Sequence, residues 1–145
     1  MDTPVSFELA KLLKEKGFDL GVINYYSGLN LYIDKFRFNY NDKTIGDSFM
    51  HKRNGGCYSA PTIAEVVMWL YEKHGIWIEV SKLDGYQNLF FYTITGSNGF
   101  NHGAKITVIE WDDDKCDEMG YNNKYKHSPT EAYEAAITYC LNNLL

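Results

Sequence analysis

The sequence predicts an α+β fold: an antiparallel sheet, made of a three-stranded meander and an N-terminal strand pair, packed against three helices in the order αββαβββα. Two observations carry this. Three segments combine helix start and stop signals with apolar residues at three- and four-residue steps. The stretches between them alternate with period two or run as short apolar and aromatic blocks bounded by turn residues.

The first helix is predicted over Phe7 to Lys16, with Ser6 as N-cap and Leu9, Leu12 and Leu13 as its apolar stripe. Gly17 stands where a left-handed residue closes a helix, and Phe18 where it packs back on Leu13. A strand pair follows, near Gly21 to Tyr26 and Leu31 to Tyr40. Asn41 to Gly56 reads as a loop.

The second helix is predicted over Pro61 to His74, with Pro61 in the first turn. Two caps compete for its start: a Thr62/Glu65 box, or Ser59 one turn earlier. Ile63, Val66, Val67 and Leu70 line one face, while Met68, Trp69 and Tyr71 carry apolar character around the other side. The helix is therefore expected to be covered on more than one side. Gly75 stops it, with Ile76 as the expected partner of Tyr71.

The meander comes next. Ile76, Ile78 and Val80 alternate with Trp77, Glu79 and Ser81, and Asp84-Gly85 marks a turn. Leu89 to Thr95 reads as a mostly buried strand, and Lys105 to Trp111 as the third strand after a Gly- and Asn-rich connection. Asp112 to His127 reads as a loop. The last helix, Pro129 to Leu144, opens on Ser128-Pro129-Thr130-Glu131 and carries Tyr133, Ala136, Ile137, Cys140, Leu141 and Leu144 on one face. Ala132 and Ala135 flank that face. No repeat, low-complexity tract or linker divides the 145 residues, so residues 1–145 read as one domain.

Composition bounds the function. Hydrophobic residues are 45% and charged residues 23%, ordinary for a globular domain, and a chain of this length buries roughly 70% of its unfolded surface. The net charge of −5 lowers the expectation of nucleic-acid binding, because the overall field repels phosphate backbones. Three widely spaced cysteines, Cys57, Cys116 and Cys140, do not suggest a disulfide framework. Met1 to Phe18 shows neither an apolar signal core nor a cleavage site, and no window reaches membrane-span length. A cytoplasmic protein is expected. Aromatics reach 16%, twelve of them tyrosine; they read as core and sheet surface, or as a binding face.

Three separated segments carry a resemblance: Phe7 to Phe18; Ala60-Pro61-Thr62 with Trp69 to Glu79; and Thr130 to Ala136. In this order they resemble a group of short uncharacterised proteins of gut Bacteroidales and their phages and mobile elements. The resemblance implies no activity and transfers no functional residue. At the level of element order alone, Pro61 to Leu144 is similar to a double-stranded-RNA-binding domain, with Lys124, Lys126 and His127 ahead of the last helix. Glu131 and Glu134 depart from the lysine pair such a helix carries, and shared order is weak grounds for shared function.

No residue pattern assigns a catalytic, cofactor or metal role. Cys57 lies just before a helix, where a thiol pKa can fall, and His51 or His102 would have to supply a base. The acidic run Asp112-Asp113-Asp114 with Asp117 and Glu118 fails the calcium-loop pattern twice: Asp117 stands where glycine is needed and Asn123 where glutamate is needed. The cysteines and four histidines show no paired zinc spacing, and His74 already has a structural reason at a helix C-terminus. Gly96 to Gly103 joins two strands and so supplies no helix N-terminus to a phosphate. Glu8, Glu65, Glu79 and Glu110 are dispersed. The favoured reading is a small non-catalytic binding or accessory protein, with a protein partner recognised through aromatics such as Tyr25, Tyr26, Tyr58, Trp77 and Trp111. The alternatives are a thiol-dependent enzyme using Cys57 and a duplex-RNA binder.

Overall fold

The structure is a computed structural model in which residues 2–42, 56–82, 90–96 and 128–145 are described. Within them the fold is α+β, with α1 (Phe7–Glu15), β1 (Val22–Ser27), β2 (Asn30–Phe38), β3 (Cys57–Ser59), α2 (Ile63–His74), β4 (Ile76–Lys82), β5 (Phe90–Gly96) and α3 (Pro129–Asn143). The contacts divide into two units, Met1–Trp69 with Leu141–Leu145, and Leu70–Cys140. The expected strand over Lys105 to Trp111 lies outside the described residues.

In the first unit, α1 is closed at both ends as its sequence directs. The Ser6 hydroxyl accepts from the Leu9 N–H at 3.4 Å. At the other end Gly17 takes φ +87, the Phe18 N–H donates to the Leu13 carbonyl at 2.9 Å and the Gly17 N–H to Lys14 at 3.2 Å. These are the paired bonds of a Schellman motif, and its apolar partners Leu13 and Phe18 are both buried. The buried stripe is Leu9, Ala10 and Leu13; Leu12 sits half-buried at its margin.

The strands of this unit form a sheet in the order β2-β1-β3. Gly28 and Leu29 make the two-residue turn between β1 and β2, and Gly28 takes φ +61, as the first position of a primed hairpin turn requires. The register runs regularly from Ser27↔Asn30 to Asn24↔Ile33 and then breaks. Val22 and Asn24 are two residues apart, while their partners Phe38 and Ile33 are five apart. β2 therefore bulges over its second half. β3 corrects the sequence reading: Cys57 to Ser59 pair with Ser27 to Tyr25, so Ser59 belongs to a strand and does not cap α2. Three residues are too few to show a period.

The cap of α2 is the Thr62/Glu65 box. The Thr62 N–H donates to Glu65 Oε2 at 2.8 Å, and the Glu65 N–H donates to Thr62 Oγ1 at 3.3 Å. A further first-turn donor, the Ile63 N–H, is taken by the Thr3 carbonyl at 3.1 Å. Pro61 consequently stands before the helix, not in its first turn. Its carbonyl accepts from Val5 at 2.9 Å, which ties the N-terminal segment to the helix start.

In the second unit, α2 ends with Gly75 at φ +67, whose N–H donates to the Tyr71 carbonyl at 3.0 Å, the bond of a left-handed glycine cap. β4 and β5 pair antiparallel, with Ile78 opposite Ile94 and Val80 opposite Tyr92. Ile76, Ile78, Tyr92 and Ile94 are buried, while Trp77 and Glu79 are exposed. β5 thus alternates where its sequence suggested nearly continuous burial. The described strands lie in two sheets, with the N-terminal pair in the first. On α3, the Ser128 hydroxyl accepts from Glu131 at 3.1 Å; Ala132, Ala136, Ile137, Cys140 and Leu141 are buried, with Tyr133 and Leu144 half-buried.

Candidate functional site

β2 departs most from what a sheet strand is expected to do. Among the described strands it stands at the edge of its sheet, and eight of its nine residues are exposed. Five of the eight are large and apolar: Leu31, Tyr32, Ile33 (75% exposed), Phe36 (69%) and Phe38. Leu29, in the adjoining turn, is 78% exposed. Scattered exposed apolar residues are ordinary on a protein surface, but six within ten residues along one strand and its turn are a concentration, not scatter.

The strand is held firmly from behind. Tyr25 on β1 is buried between Tyr32, with ring centroids 5.5 Å apart, and Tyr40, at 4.3 Å, both stacked at 23°. The Tyr40 hydroxyl donates to Asp34 Oδ2 at 2.9 Å, which anchors the bulge. Burial, and then the Asp34 carboxylate, push the Tyr40 phenol well above its ordinary value. Burial also raises Tyr25, with smaller contributions from Cys57, Asp34 and Tyr32. Arg37 reaches back across the sheet end. It donates to the Gly21 carbonyl at 3.2 Å and pairs with Glu65 Oε1, so one carboxylate both caps α2 and holds β2. Behind Tyr40, Ser59 accepts from the Tyr40 N–H at 3.1 Å, and Asn41 bridges the Ser59 N–H and the Phe18 carbonyl. The exposed side chains are therefore presented by a fixed backbone, which lowers the ordering entropy lost when a partner binds.

The aromatic residues expected to form a binding face fall elsewhere. Tyr25 is buried in the stack. Tyr26 and Tyr58 are half-buried, opposite each other across β1 and β3, and each meets Phe7 of α1 edge to face, at 5.4 and 5.6 Å. Trp77 is exposed and meets the exposed Tyr71 at 5.5 Å, a pair confined to the second unit. Trp111 lies outside the described residues. The residues that do form the patch escaped the sequence reading. Their signal is that both parities of Leu31 to Phe38 carry apolar side chains while Asp34, Lys35 and Arg37 interrupt the run. A half-buried strand keeps its apolar residues to one parity.

The thiol chemistry weighed for Cys57 meets an environment of the wrong sign. Cys57 is buried in β3, and burial pushes its thiol above its ordinary value, outweighing the lowering effects of a hydrogen bond with Ser27 and of the Lys14 charge. Lys14 Nζ is itself engaged, donating to the Cys57 carbonyl at 2.9 Å and lying 4.9 Å from the centroid of the Tyr58 ring. Cys140 is fully buried and its thiol is pushed up to about 12 by the same cause. His51, His102, the acidic run from Asp112, the Gly-rich connection beyond Gly96, and Lys124, Lys126 and His127 lie outside the described residues. Among the described residues, no group of three metal-ligating side chains converges, and no helix is long and apolar enough to cross a membrane. Comparison with protein-family models, with curated proteins and with solved structures finds no match in any of the three.

Proposed function

We propose that the chain is a non-catalytic binding protein that engages a protein partner through β2. The observation that carries this reading is the edge strand itself, with eight of nine residues exposed and five of them large and apolar. An extended polypeptide segment adds to such an edge through main-chain hydrogen bonds, and the alternate side chains supply the apolar contact. Leu31, Ile33 and Phe36 are the contacts expected to matter most, with Tyr32 anchored on Tyr25 on the opposite face from Leu31 and Ile33. The net charge of −5 argues against a nucleic-acid partner, and the raised Cys57 thiol argues against a thiol nucleophile. The three ordered segments described above support a place beside the short proteins of gut Bacteroidales and their mobile elements. A reducing, cytoplasmic setting fits the two buried thiols Cys57 and Cys140.

The test is site-specific photo-crosslinking in a lysate of a host that expresses the protein. A photoreactive residue at Ile33 or Phe36 is expected to trap one discrete protein stoichiometrically, and the same residue at the exposed Glu72 of α2 to trap none. Equal, diffuse labelling from all three positions would remove the basis for a binding strand.

A further inference from the structure

We infer that β2 pairs with β2 of a second copy of the chain, in antiparallel register centred on Tyr32, to make a dimer with a continuous six-stranded sheet. This rests on the reading of β2 as the binding strand and names its occupant.

The edge is undefended where it is regular. Sheet edges are ordinarily protected by charge, proline or a bulge. In β2 the charges Asp34, Lys35 and Arg37 and the register break all fall in the second half. Asn30 to Ile33 is regularly paired with β1, carries no charge or proline, and exposes Leu31, Tyr32 and Ile33.

The sequence of the strand then selects the occupant and the register. A two-fold axis perpendicular to an antiparallel pair sets one residue opposite its own copy. Centring on Asp34 or Lys35 puts like charges face to face, and centring on Phe36 puts Lys35 opposite Arg37; all three are destabilising. Centring on Ile33 sets Leu31 against Lys35 and Tyr32 against Asp34. Centring on Leu31 places the outer pairs on Gly28 and Leu29, in the turn. Centring on Tyr32 sets Leu31 opposite Ile33, Tyr32 opposite Tyr32, and the Asn30 amide opposite the Asp34 carboxylate. Within Asn30 to Asp34 every pair is then apolar, aromatic or donor-to-acceptor.

The area is sufficient for a weak dimer. If a large apolar residue exposes on the order of 200 Å² in an extended chain, the fractional exposures of Leu29, Leu31, Tyr32 and Ile33, the apolar residues within the contact, leave roughly 500 Å² on each copy. Covering both copies removes at most about 1,000 Å², the size of a weak, transient interface. The dimer is therefore expected to dissociate on dilution.

The test combines sedimentation equilibrium of the full chain over a wide concentration range with a register-specific crosslink. Opposed Cα atoms in antiparallel strands lie about 4.5–5.5 Å apart, within disulfide reach. Tyr32→Cys is thus expected to form an intermolecular disulfide with itself on mild oxidation, located by mass spectrometry at position 32 in both copies, and Asn30→Cys is not. Ile33→Lys is expected to shift the protein to monomer at all concentrations while its circular dichroism stays that of the parent. A parent chain that remains monomeric throughout overturns the second-copy assignment; if Ile33 still crosslinks another protein in a lysate, β2 remains a binding strand. A dimer that survives Ile33→Lys and gives no disulfide at position 32 also overturns it, because the interface then lies elsewhere.

Discussion

Glu65 performs two jobs with one carboxylate, and its removal separates them. Oε2 accepts from the Thr62 N–H and hydroxyl, while Oε1 pairs with Arg37 of β2. Glu65→Ala strands the Thr62 donor and unpairs Arg37. One hydrogen bond contributes about 1 kcal/mol net. The ion pair adds about 0.2–1 kcal/mol, discounted because the Arg37 side chain is 61% exposed. The total is about 1–2 kcal/mol. Glu65→Gln retains an acceptor for the cap and loses only the charge, so about half of the loss returns. Arg37→Gln isolates the pair, and the cycle with Glu65→Gln is expected to give a coupling of about 0.2–1 kcal/mol that shrinks with added salt. Urea unfolding followed by circular dichroism reads these values, since 1 kcal/mol moves the midpoint by about 0.5 M at a slope near 2 kcal/mol/M. Equal losses for Glu65→Ala and Glu65→Gln would refute the cap. A coupling of zero at low salt would refute the tie between α2 and β2.

Gly17→Ala is expected to lower stability by about 1 kcal/mol in the same assay. Nothing lies within 4 Å of the added Cβ, so the loss comes from φ +87 alone, and an unchanged midpoint would contradict the Schellman closure. The raised Cys140 thiol predicts an alkaline effect of definite sign. The folded state holds the proton more tightly than the unfolded state, so the contribution is full below pH 9 and is lost as pH rises toward about 12. Cys140→Ala is expected to flatten that fall in unfolding free energy; identical slopes would count against the burial argument. Finally, at protein concentrations low enough for the parent chain to be monomeric, Ile33→Lys is expected to change stability by less than about 0.5 kcal/mol, because the residue is largely exposed. Ile137→Ala, fully buried on α3, should lose about 2–5 kcal/mol. Comparable losses from both would mean that β2 is packed, not presented.

The helices were legible because their ends are local. Ser6, Gly17, Thr62 with Glu65, Gly75 and Ser128 each act within four residues, and each does in the structure what its chemistry requires. Alternation also placed β4 correctly, since Ile76 and Ile78 are buried and Trp77 is not. What failed to read was short or remote. β3 has three residues and takes its identity from pairing with β1, some thirty positions earlier in the chain. Pro61 looked like a helix starter because proline suits that position. The acceptor role of its carbonyl toward Val5 depends on a segment more than fifty residues away.

The binding strand illustrates the same division at the level of function. Tyr25, Tyr26 and Tyr58 attracted notice by type, and the structure puts them to work behind the surface: Tyr25 in a stack, Tyr26 and Tyr58 against Phe7. Leu31, Tyr32, Ile33 and Phe36 carry no chemical signature, and their exposure goes with β2 having, among the described strands, β1 as its one neighbour. Edge position is a property of sheet order, which no local window encodes. The local sequence does encode the consequence. A run that is apolar on both parities yet broken by Asp34, Lys35 and Arg37 satisfies neither a buried strand nor a half-buried one. Such a conflict within one strand is resolved when a second strand covers the uncharged half, Asn30 to Ile33, and leaves the charged half beyond the contact. The inner side of that half is already taken by β1, with Tyr32 stacked on Tyr25, and among the described residues no strand lies on its outer edge, so a second strand covers it from there.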